Sequence, residues 1–128
     1  EAGALRALAE RIGGHAYEAT SEQRRYLHIA AVFACNFTNH MYALAHRLLA
    51  AHGLPFEAML PLIDETARKV HELPPAEAQT GPARRYDGNV IGKHLEMLAG
   101  EPRLAELYEK ISRSIHEEDK PQLIHKLK

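Results

Sequence analysis

An excess of charge of either sign is the first thing this sequence lacks. Sixteen Lys and Arg stand against seventeen Asp and Glu, a formal net charge of −1 over 128 residues. With no cationic surplus there is nothing to draw in a phosphate backbone or an anionic bilayer, which excludes nonspecific nucleic-acid binding. Long apolar runs are also missing. The longest, Ile29 to Cys35, has seven residues, against about 20 for a helix that crosses a membrane, so no transmembrane helix is predicted. Cysteine occurs once, as Cys35. It cannot close an internal disulfide, and in the most apolar stretch of the chain it reads as a buried small hydrophobe. A cytoplasmic location fits that usage best.

Several chemistries lack their motifs too. Nine histidines suggest metal binding, yet no two are three or four residues apart, and His40, His46 and His52, at intervals of six, point to different helix faces. No metal site is predicted. There is no Gly-x-Ser-x-Gly elbow, and Cys35 has no cationic neighbour within a helical turn to activate a thiolate. The glycines at 13, 14, 53, 81, 88, 92 and 100 match neither a dinucleotide fingerprint nor a P-loop, so this chain by itself is not expected to hold a dinucleotide cofactor.

What remains is an ordinary globular composition, 45% hydrophobic and 26% charged, with helical periodicity over most of its length. Leu5, Leu8, Ala9 and Ile12 predict a short amphipathic helix over 3–12, stopped by Gly13-Gly14. Around Tyr17 the alternation from His15 to Ala19 predicts a strand, whose ladder partners must come from elsewhere. The opening at Glu1 has neither the basic start nor the apolar centre of a secretion signal. With the orphan strand, it suggests a piece of a longer protein.

Thr20 and Gln23 have capping-box spacing, and no Pro or Gly interrupts the chain from there to His52. One long helix is predicted. Between Leu27 and Phe37 almost every position is apolar or small, which predicts burial on nearly all sides. Further along, Met41, Leu44, Ala45, Leu48 and Leu49 keep an inner stripe while His40, Arg47 and His52 can reach solvent. Pro55 opens another helical pattern (Phe56, Met59, Leu60, Ile63, Ala67, Val70) that Pro61 must kink or restart, with Glu65 and Lys69 as an outward pair. Pro74-Pro75 ends it and begins a long connection, PPAEAQTGPARRYD, in which Ala76 to Gln79 can form one turn. Asp87 is a suitable N-cap for a helix closed by Gly100, and Pro102 starts a last helix with Glu106–Lys110 and Glu109–Arg113 pairs.

Two places carry candidate chemistry. In a uniform helix His28, Asn39 and His46 fall within about 20° of one line, with Asn36 about 80° around from His28. Such a polar stripe needs partners. Either His28 and Asn36 bond neighbouring backbone in a core or interface, or they face a cleft, where Asn36 would hydrogen-bond a substrate carbonyl or hydroxyl and His28 would exchange a proton. The second place is the loop from Thr80 to Asp87, with a hydroxyl, a tight turn and two guanidinium groups that could anchor a carboxylate or phosphate. Equally, the turn could be only a turn, Asp87 only a cap, and the arginines paired with surface carboxylates.

The segments Tyr26-Leu27-His28-Ile29-Ala30-Ala31-Val32-Phe33-Ala34-Cys35-Asn36, Leu60-Pro61-Leu62-Ile63-Asp64-Glu65-Thr66, Thr80-Gly81-Pro82 with Arg85 and Asp87, and His94-Leu95 occur in this order. Together they resemble the helical C-terminal domain of unknown function that follows a Rossmann domain in bacterial oxidoreductase-like proteins. The resemblance implies an all-α bundle around one long central helix, similar to the C-terminal domain of phosphogluconate dehydrogenases. It implies NAD(P) as the cofactor of the full-length protein, a cleft between the two domains, and a homodimer. Residues 1–20 would close a missing N-terminal Rossmann domain, 21–118 would form the helical domain, and 119–128 a tail. His28 and Asn36 then become the expected catalytic residues, and Asn39, Thr80 and Arg85 the expected substrate-binding ones. Related dehydrogenases carry a lysine one turn before the asparagine, where this chain has Val32, so lysine-based proton transfer is not expected. The rival reading is a helical protein–protein interaction module, its apolar helix serving only to bind itself or a partner.

Overall fold

The computed structural model describes residues 19–119. The helix expected over 3–12, the strand expected over 15–19 apart from Ala19, and all but the first residue of the expected tail lie outside them. Among the described residues every regular element is helical: α1 (Ser21–Ala31), a π-helical segment (Val32–Phe37), α2 (Thr38–Ala51), a 3₁₀ turn (Phe56–Met59), α3 (Leu60–Lys69), α4 (Pro75–Ala78), α5 (Gly88–Met97) and α6 (Pro102–Glu118). The chain divides into two compact units, Glu1–Leu60 and Pro61–Lys128.

In the first unit the helix starts where its cap does. The Thr20 hydroxyl accepts from the Gln23 amide at 3.1 Å, and the Thr20 amide donates to Gln23 Oε1 at 2.9 Å, closing the capping box from both sides. From there the chain stays helical to Ala51. It does not stay α-helical, however: over Val32–Phe37 the backbone takes the wider π winding, and the Thr38 hydroxyl donates to the Phe33 carbonyl, five residues back, at 3.3 Å. His52 and the left-handed Gly53, at φ +70°, then end the helix. The ring of His46 lies 5.3 Å from that of Phe56 and ties the 3₁₀ turn to α2.

The expected burial of the central helix is not what this chain shows by itself. Tyr26 is 65% exposed, Ile29 52%, Phe33 64% and Phe37 50%, and Cys35, expected to be buried, is exposed. Apolar composition states that a surface will be covered but not by what, and among the described residues of this unit only Ala19 is buried.

The second unit is held by α5 and α6. Asp87 caps α5 through its carboxylate, which accepts from the Val90 amide at 3.4 Å. Pro102 stands in the first turn of α6, where its missing N–H costs nothing. Ala83, Ile91, Leu98 and Ser112 form the small buried core. Beside it the hydroxyl of Tyr108 on α6 lies 2.7 Å from His94 Nδ1 on α5, with the two rings edge to face. The expected outer pairs of α6 are present, Lys110–Glu106 at 3.0 Å and Arg113–Glu109 at 2.8 Å. On α3 the expected Glu65–Lys69 pair is replaced: Arg68 reaches back one turn to Glu65 at 2.6 Å and forward to Glu72. A bidentate guanidinium can serve both carboxylates at once, which an ammonium on the neighbouring position cannot.

Candidate functional site

The polar residues of the central helix are distributed over its three windings: His28 in α1, Asn36 in the π segment, Asn39 and His46 in α2. A π turn holds one residue more than an α turn, so everything after it is rotated by about 100° relative to uniform winding. The single line of His28, Asn39 and His46 expected for a uniform helix is therefore broken. His46 instead packs on Phe56. Within the segment the reduced turn per residue swings Asn36 back toward the His28 line, leaving these two about two turns apart on one side. His28, Asn36 and Asn39 are all exposed. None makes a side-chain hydrogen bond to a described residue.

The loop from Gln79 to Asp87 curls around a shallow concavity of about 290 Å³ lined by Gln79, Thr80, Gly81, Pro82, Arg84, Arg85 and Asp87. Two left-handed residues shape it. Gly81 has φ +102°, open to glycine without strain, and Tyr86 has φ +51°. A non-glycine residue there stores on the order of 1–3 kcal/mol and stays only if its surroundings hold it. Backbone bonds from the Tyr86 amide to the Ala83 carbonyl at 3.1 Å and from the Asp87 amide to the Pro82 carbonyl at 2.9 Å close the turn.

The two arginines part company. Arg84 Nε donates to Asp119 at 3.2 Å and its Nη1 to the Gln79 carbonyl at 3.5 Å. Arg85 is exposed, stands on the wall of the concavity, and has no such partner among the described residues. The expectation that both arginines pair with surface carboxylates thus holds for Arg84 alone. Thr80 and Arg85 come together on one concavity. His28, Asn36 and Asn39 belong to the other unit.

Sequence reasoning missed what stabilises this loop. His116 Nδ1–H donates to the Arg84 carbonyl at 3.2 Å, and its ring lies 5.4 Å from that of Tyr86. The Arg113 guanidinium, held protonated above its ordinary range first by its bond to Glu109, also interacts with Tyr86. Periodicity marks Arg113 and His116 only as outer positions of an amphipathic helix. The one sequence signal was their three-residue spacing, which places both on one side of α6.

Among the described residues no three His, Cys, Asp or Glu side chains converge as a metal site, and no helix is long and apolar enough to cross a membrane. Of the described glycines, Gly53 and Gly81 have left-handed backbone and Gly88 and Gly92 lie within α5.

Comparison with known proteins gives these features a family. The family described as "Domain of unknown function (DUF2520)" matches residues 1–115. A crystal structure from Bacteroides fragilis, of a protein provisionally named an NADP oxidoreductase, is 65% identical and superposes with a TM-score of 0.80 over 91% of this chain. This chain spans 46% of that protein's length. No curated protein is detectably similar.

Proposed function

The chain belongs to the DUF2520 family, and from that premise we propose that it is the substrate-cleft and dimerisation domain of an NAD(P)-dependent oxidoreductase-like protein of the cytoplasm. The observation that carries the reading is the 65% identity to a protein provisionally named an NADP oxidoreductase and about twice as long. A relative of that length leaves room for a nucleotide-binding domain beside this one. In the proposed arrangement residues 1–20 close that domain, 21–118 form the helical domain and 119–128 the tail, and the cofactor supplies the hydride.

This chain's own residues supply binding groups in each of its two units. Arg85, with Thr80 beside it, anchors an anionic group through charge-assisted hydrogen bonds. In the other unit, taken by itself, Asn36 and Asn39 are hydrogen-bonding groups for a carbonyl or hydroxyl, and His28 is a group that holds or releases a proton. Among the described residues His28, Asn36 and Asn39 have no side-chain partner, which supports a role in which a ligand supplies one.

Dimerisation rests on the central helix. From Tyr26 to His46 it carries no Asp, Glu, Lys or Arg, and Tyr26, Ile29, Phe33 and Phe37 form an exposed ridge at spacings of three and four. Glu22 and Arg25, of opposite charge, flank a groove with Tyr26 and Ile29. A second copy related by a two-fold axis would cover the ridge and pair these charges reciprocally. The same ridge favours the second reading, a helical interaction module without catalytic role.

The test is made on the full-length protein. NADPH binding is followed by quenching of its fluorescence, and NADPH oxidation by absorbance against small oxo acids. Expected are saturable NADPH binding and, for Arg85→Ala and Asn36→Ala, losses in kcat/KM of about 10- to 150-fold, the equivalent of about 1.5–3 kcal/mol for a hydrogen bond to a charged group. No NADPH binding by the full-length protein would leave the interaction module in its place.

A further inference from the structure

Resting on the reading of Arg85 as an anion anchor, we infer that Tyr86 is a positioning residue whose ring, held by His116 and Arg113 of α6, aims Arg85 at the concavity. Tyr86 keeps a left-handed backbone, at φ +51°, that its own side chain disfavours. The loop is tied to the end of α6 at three positions spaced three apart, Arg113 and His116 in the helix and Asp119 at its C-cap. Arg113 interacts with Tyr86. The His116 ring packs on Tyr86 while its Nδ1–H holds the Arg84 carbonyl at 3.2 Å. Asp119 takes the Arg84 side chain at 3.2 Å. These ties leave one guanidinium of the pair engaged by the fold and the other, on the adjacent residue, without a partner among the described residues. Two adjacent arginines, alike in sequence, thus acquire different tasks: Arg84 secures the loop, and Arg85 faces the ligand. The residue that follows the pair is the strained one. Strain of this kind persists where the surroundings over-determine it, and here the surroundings are side chains of α6 that line no part of the concavity.

The probe is inorganic phosphate at constant ionic strength, titrated into the full-length protein and followed by the NMR shifts of the Thr80 and Gly81 amides and of Arg85 Nε–H. Tyr86→Phe keeps the ring and its contact with His116 but loses the hydroxyl that interacts with Arg113, and is expected to bind phosphate with an affinity between those of the wild type and Tyr86→Gly. Tyr86→Gly keeps the left-handed backbone without the ring and is expected to bind at least tenfold more weakly, with the Ile91 and Leu98 amides unshifted. Arg85→Ala is expected to abolish the response. Wild-type affinity in Tyr86→Gly, with the response lost in Arg85→Ala, overturns the positioning role and leaves the anchor standing. No phosphate response at Arg85 in the wild type, or an unchanged one in Arg85→Ala, overturns both. If Tyr86→Gly does not fold, His116→Ala reads the same coupling from outside the concavity, and wild-type affinity there overturns the inference.

Discussion

The hydroxyl of Tyr108 lies 2.7 Å from His94 Nδ1, joining α6 to α5 through a partly buried hydrogen bond. In the Nε2–H tautomer of His94 the hydroxyl donates. Burial raises the Tyr108 pKa above its ordinary 10.0, because the phenolate would lose hydration that the neutral hydroxyl does not need. The folded protein therefore binds this proton more tightly than the unfolded chain. The corresponding stability is fully present below pH 10 and is lost as the pH rises through the folded value. Tyr108→Phe is expected to cost about 0.5–1.5 kcal/mol at neutral pH, for one hydrogen bond lost with His94 left partly buried. It should also flatten the alkaline decline in urea midpoint. A variant that declines above pH 10 as steeply as the wild type would place the titration elsewhere.

At the other end of the described chain, Thr20 and Gln23 satisfy each other's amides. Thr20→Ala removes the oxygen that accepts from the Gln23 amide and is expected to destabilise the start of α1 by about 1 kcal/mol. Thr20→Ser should restore nearly all of it. Hydrogen exchange at the Gln23 amide is the direct reading, faster in the alanine variant and near wild type in the serine variant.

Glu65 gives a prediction on the acid side. The hydrogen bond from Arg68 lowers its pKa below the ordinary 4.5, with Lys69 adding a weaker pull. A depressed carboxylate contributes stability that is present above its unfolded value and lost as pH falls through the folded one. Since both side chains of the pair are about half exposed, the expected readout is local. In a carboxyl ¹³C titration Glu65 should reach its midpoint below 4.5, and Arg68→Gln should return it toward that ordinary value. An unchanged midpoint in Arg68→Gln would show the ion pair to be absent in solution.

How much of this the sequence disclosed depends on whether the cause was local. Thr20, Asp87 and Pro102 mark helix starts because caps and proline act within one turn of themselves, and all three starts stand where they were expected. The Glu106–Lys110 and Glu109–Arg113 pairs are legible for the same reason. The π segment is not, since no residue type in Val32–Phe37 demands the wider winding, and with it the common face of His28, Asn39 and His46 is lost. In the loop, Thr80 and Arg85 were visible as chemistry. The hold on Tyr86 was not, because it comes from His116, thirty positions away in sequence and adjacent only once α6 has packed.

The apolar ridge of the central helix yields the remaining prediction. Phe33 and Phe37 stack edge to face with centroids 5.0 Å apart, yet both remain at least half exposed. A pair already in contact presents a preformed aromatic knob, which costs little further side-chain entropy when a second surface closes over it. If a second copy of the chain is that surface, Phe33 stands near the middle of the Tyr26–Phe37 ridge, where truncations at interfaces cost most. Phe33→Ala is then expected to weaken the dimer by about 2–4 kcal/mol, or roughly 30- to 1,000-fold in Kd, measured by sedimentation equilibrium of the full-length protein. Phe33→Glu would go further, placing two carboxylates against each other across the axis. Met97, also exposed but on α5 in the other unit, is the control: Met97→Glu should leave the Kd within a factor of about two. Equal dimer affinity in Phe33→Glu and the wild type would show that the ridge is covered by something other than a second copy.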